Sequence, residues 1–362
     1  MTGVKVVFTV LDALPDRHVG ASHTPVLHQL AGAGGRAPGG AQAVMTSATY
    51  PNHATFATGT EPARHGIVTN WVPGSGGVVP AWERGCDVPT LFDACRTAGR
   101  TSAAVFGDQH LVGVMGATAA DHHWPTGGVP PSDAELDPLG YLQDDDTAPQ
   151  LCAVLADAPD LVIAQLNGPD TAAHWYGPDH ERALDGYRAT DAWLAAIGDA
   201  LAWDDTVWIL VSDHDQEPVT TREPLDLQRA LDQRGGGLFA LPEGNAAVVC
   251  GDGAREAARW LHEVDGIAGV GDVTLADAGL ECCLAWAVPG RTFGTTGSPT
   301  PRGTHGGPRT RTQVAIVSGG HPAVEPLARA LASRPVDATD WAPTMATLLG
   351  LDLPDATGRS LL

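Results

Sequence analysis

The sequence predicts an α/β fold, a mostly parallel β-sheet sandwiched by helices, with a small α+β cap insertion in its second half. Two observations carry this. Short runs rich in Val, Ile and Leu, bounded by turn residues, alternate with longer stretches of helical periodicity, as strands buried on both faces require. From about residue 218 to 300 the rhythm breaks, and Gly-rich and Pro-rich joints enclose GNAAVVCGDGAREAARWLHEVDGIAGVGDVTL, which reads as its own unit of strands packed with a helix. The expected organisation is a core of residues 1–217 and 301–362 and an inserted cap of residues 218–300.

In chain order, VKVVFTVL is the first strand and TPVLHQLAGAG the first helix. TSATYPNHATFATG, residues 46–59, reads as a short helix: proline is tolerated in a first helical turn, and Gly59 is favoured just past a helix end. Thr49 then sits at the helix mouth, where free amides and positive partial charge gather. VPTLFDACRTAG is helical, SAAVFG and DLVIAQL are strands, and HERALDGYRATDAWLAAIGDALA is a long helix. TVWILVS and TQVAIVSG complete the expected sheet, and VEPLARALAS and DWAPTMATLLGL are the closing helices. No internal repeat or low-complexity block interrupts them.

The 362 residues are 43% hydrophobic and 18% charged, ordinary for one large domain or a domain with a substantial insertion. Against 21 Lys plus Arg stand 43 Asp plus Glu, a formal charge of -22 that repels phosphate backbones and anionic membranes. Nucleic-acid polymers and membrane surfaces are therefore excluded as partners. An anionic small molecule would need a local reversal of the field, which a bound metal cation supplies. The opening MTGVKVVFTVLD reads as a strand rather than a secretion signal, and no apolar run has the length of a membrane span. Cys86, Cys95, Cys152, Cys250, Cys282 and Cys283 show no Cys-x-x-Cys spacing and read as free thiols, so the expected location is cytoplasmic.

Ligands in open parallel sheets bind beyond the carboxyl ends of the strands. Three apolar runs end there in residues that are costly to bury: Asp12 after VVFTVL, Asp213 and His214 after TVWILVS, and Asp170 a short turn after DLVIAQL. One such aspartate could be a helix N-cap. Three carboxylates at one edge repel one another and resist ionisation unless divalent metal ions hold them charged. His174 follows Asp170 by four residues, and His305 lies in GTHGGP before the last strand, so imidazoles join the carboxylates as in a zinc-type ligand set. The adjacent His122 and His123 read as ordinary surface or core residues.

LDA, TYPNH, GIVTN, NGPDTAAHWYGPD, SDHD and GTHGG resemble, in this order, the signatures of the alkaline phosphatase superfamily, and most of all its nucleotide pyrophosphatase/phosphodiesterase branch. Each motif alone is short; together they span essentially the whole chain, including the closing VDATDWAPTMATLLGLDLPDATGRSLL. The resemblance implies an alkaline-phosphatase-like core. It implies one zinc held by Asp12, Asp213, His214 and the Thr49 oxygen and a second held by Asp170, His174 and His305, manganese being the alternative metal. It further implies that Asn70 hydrogen-bonds a nonbridging phosphoryl oxygen and that Tyr50 packs against the leaving group. Thr49, activated by a metal and the helix mouth, would attack phosphorus in line, and water would hydrolyse the resulting phosphothreonine.

The expected function is hydrolysis of a small-molecule phosphate ester, a phosphodiester first. Three positions depart from the family pattern. Ala13 and Asp215 stand where glycine is usual, and AQLN precedes the Asp170 motif where a second aromatic wall for a nucleotide is expected. Asp215 could bind a substrate group, shift metal preference or point away. A phosphomonoesterase would need arginine for the extra anionic oxygen, with Arg17 and Arg64 nearest the motifs; a phosphonoacetate-type phosphonate hydrolase would need arginine for the carboxylate, since Lys5 is the only lysine. A phosphomutase would favour serine over Thr49, and a noncatalytic binding protein would be expected to lack one or more of the seven ligands. A sulfatase is excluded by the absence of Cys-x-Pro-x-Arg and Ser-x-Pro-x-Arg. Nothing in the sequence specifies an oligomeric state.

Overall fold

The computed structural model describes residues 3–74, 77–235, 237–272 and 280–362. Residues 1–2 and 75–76 of the expected core, and 236 and 273–279 of the expected insertion, lie outside the described residues. The central sheet has seven described strands, in the order Gly35–Arg36, Ala315–Ser318, Thr206–Val211, Lys5–Leu11, Leu161–Leu166, Ser102–Phe106 and His122–Trp124. From Thr206–Val211 to His122–Trp124 every neighbour is parallel. The three inner strands Thr206–Val211, Lys5–Leu11 and Leu161–Leu166 are buried almost throughout, which is why they read as unbroken apolar runs.

Alternation along the first strand divides the interior in two. Val6, Phe8 and Val10 face a core with the helices Thr49–Thr58, Leu91–Ala98, Val324–Ser333 and Trp341–Leu349. Val7 and Leu11 face a second core with Pro25–Ala33, Asp144–Leu155 and Glu181–Ala200. Helix ends follow local chemistry. Thr90 and Asp93 form a capping box at the start of Leu91–Ala98, and Thr49–Thr58 stops at Gly59 in the left-handed region (φ 70°).

The last of the expected strands supplies an antiparallel member of this mostly parallel sheet. TQVAIVSG does not extend the parallel set: Ala315–Ser318 runs antiparallel to Thr206–Val211, with Ala315 beside Val211. An antiparallel strand starts at the edge where its parallel neighbours end. The loop before it, which carries His305, is therefore delivered to the edge that receives Asp12, Asp170 and Asp213.

Among the described residues, 239–287 form a second sheet, antiparallel, in the order Phe239–Glu243, Ala246–Cys250, Cys282–Ala287 and Ile267–Asp272, with the helices Leu227–Arg234 and Ala254–Leu261. The chain leaves the core and returns through one antiparallel pair, in which Glu217 faces Thr304 and Pro218 faces Gly303. Cys86, Cys95, Cys152, Cys250 and Cys282 form no disulfide among the described residues, where no helix is long and apolar enough to cross a membrane.

Candidate active site

The first two ligand candidates arrive on adjacent strands. Asp12 follows Lys5–Leu11 directly, and Asp213 follows Thr206–Val211 by one residue. Each carboxylate has one oxygen fixed and one free. Asp213 Oδ1 accepts hydrogen bonds from the amides of Ala13 (2.9 Å) and His214 (3.0 Å), and Asp12 Oδ2 accepts one from Gln165 Nε2 (2.7 Å). Asp12 Oδ1 and Asp213 Oδ2 are buried with no hydrogen-bond partner. His214 Nδ1 is turned to the Asp215 carbonyl at 3.0 Å, which leaves Nε2 at 3.4 Å from Asp213 Oδ2 and 3.9 Å from Asp12 Oδ1.

Thr49 enters from the first turn of its helix, its Oγ1 3.3 Å from His214 Nε2. Three contacts fix that helix. Phe56 meets Phe8 of the sheet edge-on at 5.2 Å; Asn52 Oδ1 accepts from the Val44 amide (2.9 Å); and Ser47 exchanges backbone hydrogen bonds with Gly306 (3.0 and 2.9 Å). The last pairing ties the approach to Thr49 to the His305 loop.

Asp170 and His174 are one turn apart on Gly168–Tyr176 and so share a face. His174 Nε2 lies 3.3 Å from Asp170 Oδ1 and 3.1 Å from His305 Nε2. The other nitrogen of His174 is engaged here too, Nδ1 contacting the Gly303 carbonyl at 2.8 Å, while Asp170 Oδ1 itself also accepts from Gln216 Nε2 at 2.6 Å. The His214 and His305 rings stack at 3.9 Å and join the two halves into one centre. Two groups of three could each hold a metal ion, Asp12 with Asp213 and His214, and Asp170 with His214 and His305. His214 belongs to both, and His174 borders the second through the contacts above.

Burial first, then repulsion from Asp213 and Asp170, raises the Asp12 pKa well above its ordinary value, and burial raises those of Asp170 and Asp213. Burial pushes His214 down to about 4 and His305 well below its usual range, so both are neutral imidazoles near neutral pH. Neutral imidazoles, partnerless carboxylate oxygens and ring nitrogens oriented by a hydrogen bond at the opposite nitrogen fit divalent metal ions.

The site opens into a cavity of about 720 Å³ lined by Thr49, Asn70, Asp170, His174 and His305, with Leu139, Tyr141, Trp175 and Arg302 among its walls. Asn70 presents an Oδ1 that is buried and without a partner. Its amide donates to Glu243 Oε2 at 2.6 Å, and burial pushes that carboxyl up to about 7.

Some residues fall elsewhere than the sequence suggested. Tyr50 is 2% exposed, is not among the residues lining this cavity, and hydrogen-bonds through its hydroxyl to Asp108 and Tyr141. Tyr141 is the tyrosine that lines the cavity, and no motif marks it. Asp215 is paired with Arg17 at 2.6 Å, and Arg17 also meets Asp179 at 3.0 Å. Arg64 pairs with Asp355 at the surface. Neither arginine lines the cavity; Arg302 does. No motif marks Gln165 or Gln216 either, although a glutamine inside the apolar run LVIAQL stands out from its neighbours, and it is Gln165 that orients Asp12.

The sequence model of type I phosphodiesterase / nucleotide pyrophosphatase matches residues 6–266. The chain belongs to this family. No curated protein matches it. Among solved structures, the fold is similar to murine ectonucleotide pyrophosphatase/phosphodiesterase 5, an inactive threonine-to-alanine variant in complex with AMP, with a TM-score of 0.75 at 17% identity over 98% of this chain and 97% of that one. The human protein of the same name gives a TM-score of 0.73 at 18% identity over 98% and 97%. Phosphonoacetate hydrolase from Sinorhizobium meliloti 1021, in complex with phosphonoformate, gives 0.71 at 19% identity over 96% of each chain. The fold shared with these structures is built on a large, mostly parallel sheet flanked by helices, and this member of the phosphodiesterase family is a hydrolase of phosphoryl bonds.

Proposed function

We propose that the chain hydrolyses small-molecule phosphodiesters through a phosphothreonine on Thr49, with two divalent metal ions, zinc first, as cofactors. The observation that carries the reading is the position of Thr49 Oγ1, at a helix N-terminus and 3.3 Å from His214 Nε2, which itself lies 3.4 Å from Asp213 Oδ2 and 3.9 Å from Asp12 Oδ1, two buried oxygens with no hydrogen-bond partner. Asp12, Asp213, His214 and Thr49 would hold one ion; Asp170, His174 and His305 would hold the other. Bound there, the ions would supply positive charge to the attacking and departing oxygens of the phosphoryl group.

The chain's own groups do the rest. The helix mouth favours the Thr49 alkoxide and orients it for in-line attack. Asn70 lines the cavity, where its side-chain NH2 would donate to a nonbridging phosphoryl oxygen, and Glu243 holds the backbone of that loop. The leaving group departs on the Asp170, His174 and His305 side, against Tyr141, Leu139 and Trp175. Attack forms the Thr49 O–P bond and breaks the bond to the leaving oxygen, which departs as the alcohol or phenolate; the phosphoryl group on Thr49 keeps its second ester substituent, and water then cleaves the Thr49 O–P bond to release a phosphate monoester and regenerate the hydroxyl. The inactive threonine-to-alanine form of the murine neighbour supports a reaction that depends on threonine.

The test compares bis-p-nitrophenyl phosphate, p-nitrophenyl phosphate and phosphonoacetate with zinc, manganese or no metal. Metal-dependent release of nitrophenolate, fastest from the diester, is the expected result. Turnover of phosphonoacetate without diester cleavage would replace this reading with phosphonate hydrolysis, and a metal-loaded protein inert on all three would replace it with a binding or mutase role.

A further inference from the structure

In a chain of formal charge -22, most guanidinium groups near the sheet edge are matched by carboxylates: Arg17 by Asp179 and Asp215, Arg36 by Asp16, Arg309 by Glu217. Arg302 is different. It is the one arginine or lysine lining the catalytic cavity, and among the described residues its side chain has no ion pair or hydrogen bond. Its backbone is held firmly: the Arg302 amide donates to the His174 carbonyl at 2.8 Å, and the Arg302 carbonyl accepts from the Val219 amide at 2.8 Å. The adjoining Gly303 carbonyl contacts His174 Nδ1 at 2.8 Å.

The same short stretch, Pro299, Thr300, Pro301 and Arg302, is also a wall of a second cavity of about 440 Å³. The opposite wall is formed by residues 219–222, which include Arg222. The two walls are tied by the Thr300 hydroxyl, which donates to the Arg222 carbonyl at 3.1 Å. The Arg222 guanidinium likewise has no partner among the described residues. Two guanidinium groups without a partner among the described residues thus border a recess made of two cavities that share the 299–302 wall, the first of which His174 also lines.

We infer that this recess is an anion subsite for the leaving group: Arg302, with Arg222 behind it, binds a carboxylate or second phosphate carried by the departing part of the substrate. The inference rests on the reading that Thr49 attacks phosphorus in line, which puts the leaving group on the His174 side. A guanidinium offers paired donors that suit either anion. The tyrosine, leucine and tryptophan walls accept the uncharged body of the same group, so the substrate class is a phosphoryl compound whose leaving group is both anionic and partly apolar.

Three substrates test this. Ethyl 4-nitrophenyl phosphate has an uncharged leaving-group substituent, ethyl 3-carboxy-4-nitrophenyl phosphate adds a carboxylate, and ethyl diphosphate departs as phosphate. The readout is the ratio of kcat/KM for each anionic leaving group over the uncharged one, taken within each variant so that any general loss cancels. The expected result is that Arg302→Met lowers at least one ratio by about tenfold, as loss of one charge-assisted contact does. Arg302→Lys should restore part of the ratio, and Arg222→Met should lower it less. Whichever arm responds identifies the anion. Ratios unchanged in Arg302→Met overturn the inference. If none of the three is hydrolysed, the mechanism has failed rather than the subsite, and calorimetric titration with 3-carboxy-4-nitrophenol against 4-nitrophenol decides it. Preference for the carboxylated phenol that Arg302→Met removes supports the subsite, and equal binding of both phenols overturns it.

Discussion

Asp12, Asp213, His174 and His214 each use one polar atom to fix the side chain and leave another facing the site. Such division of labour makes the centre rigid before any ligand arrives. Under the proposed mechanism Thr49 is the residue whose loss is least replaceable. Thr49→Ala is expected to lower turnover on the order of 1000-fold or more, while Thr49→Ser keeps part of it; acid quenching during turnover of a diester should trap its phosphoryl group, still carrying the second ester substituent, on Thr49 of the native chain, and a label found elsewhere would sink the assignment. Asp108 gives a pH signature. Burial pushes its carboxyl up to about 7, against hydrogen bonds from the His110 amide and the Tyr50 hydroxyl that lower it. Since the folded pKa lies above the unfolded one, its contribution to stability is fully present below the ordinary aspartate range and is lost as pH rises through about 7. Asp108→Asn removes that dependence, so the native chain should lose stability relative to the variant as pH rises from the ordinary aspartate value of 3.8 to about 7. Urea midpoints that keep a constant difference across that range would contradict it.

At the scale of elements, the turn after Phe239–Glu243 joins the inserted sheet to the site. Glu243 accepts the Asn70 amide, and the Asn245 amide donates to the His305 carbonyl at 2.7 Å. Gly244 between them has φ +59°, and a Cβ there would lie 2.2 Å from the His305 carbonyl oxygen. Gly244→Ala should therefore cost about 2 kcal/mol or more from strain and clash together, and it should displace His305 and Asn70 at once. A lower thermal midpoint with reduced metal affinity is the expected pair of results; an alanine variant with native stability would show that the turn yields freely. The strands and long helices were legible in the sequence because burial on two faces leaves unbroken apolar runs and burial on one leaves helical periodicity. The turn was not, since its role comes from what lies opposite it.

For the whole molecule, the electrostatic balance turns on the proposed metal ions. Three buried aspartates within one centre oppose folding in their charged forms, as the raised pKa values of Asp12, Asp170 and Asp213 express. Divalent ions that bind only the folded chain relieve this and add stability by mass action, about 4 kcal/mol at a thousandfold excess over Kd. Exhaustive chelation should lower the thermal midpoint by several degrees, and zinc should restore it. A midpoint indifferent to both would remove the case for metal in the centre.

The sequence by itself determined the sheet and its covering helices, and it marked Asp12, Asp213 and His214 because polar residues at the ends of buried strands stand out against their neighbours. It also marked Thr49, through Pro51 and Gly59. Only the tertiary structure decided that the final strand runs antiparallel and so brings in His305, that Tyr141 rather than Tyr50 lines the cavity, that Arg17 answers Asp215, and that Arg302 is left unpaired beside His174. The reason is range. Periodicity and capping act over a few residues and are written locally, whereas the pairings of Asp12 with Gln165 and of Asn70 with Glu243 span 153 and 173 positions and exist only once the sheet has brought their elements together.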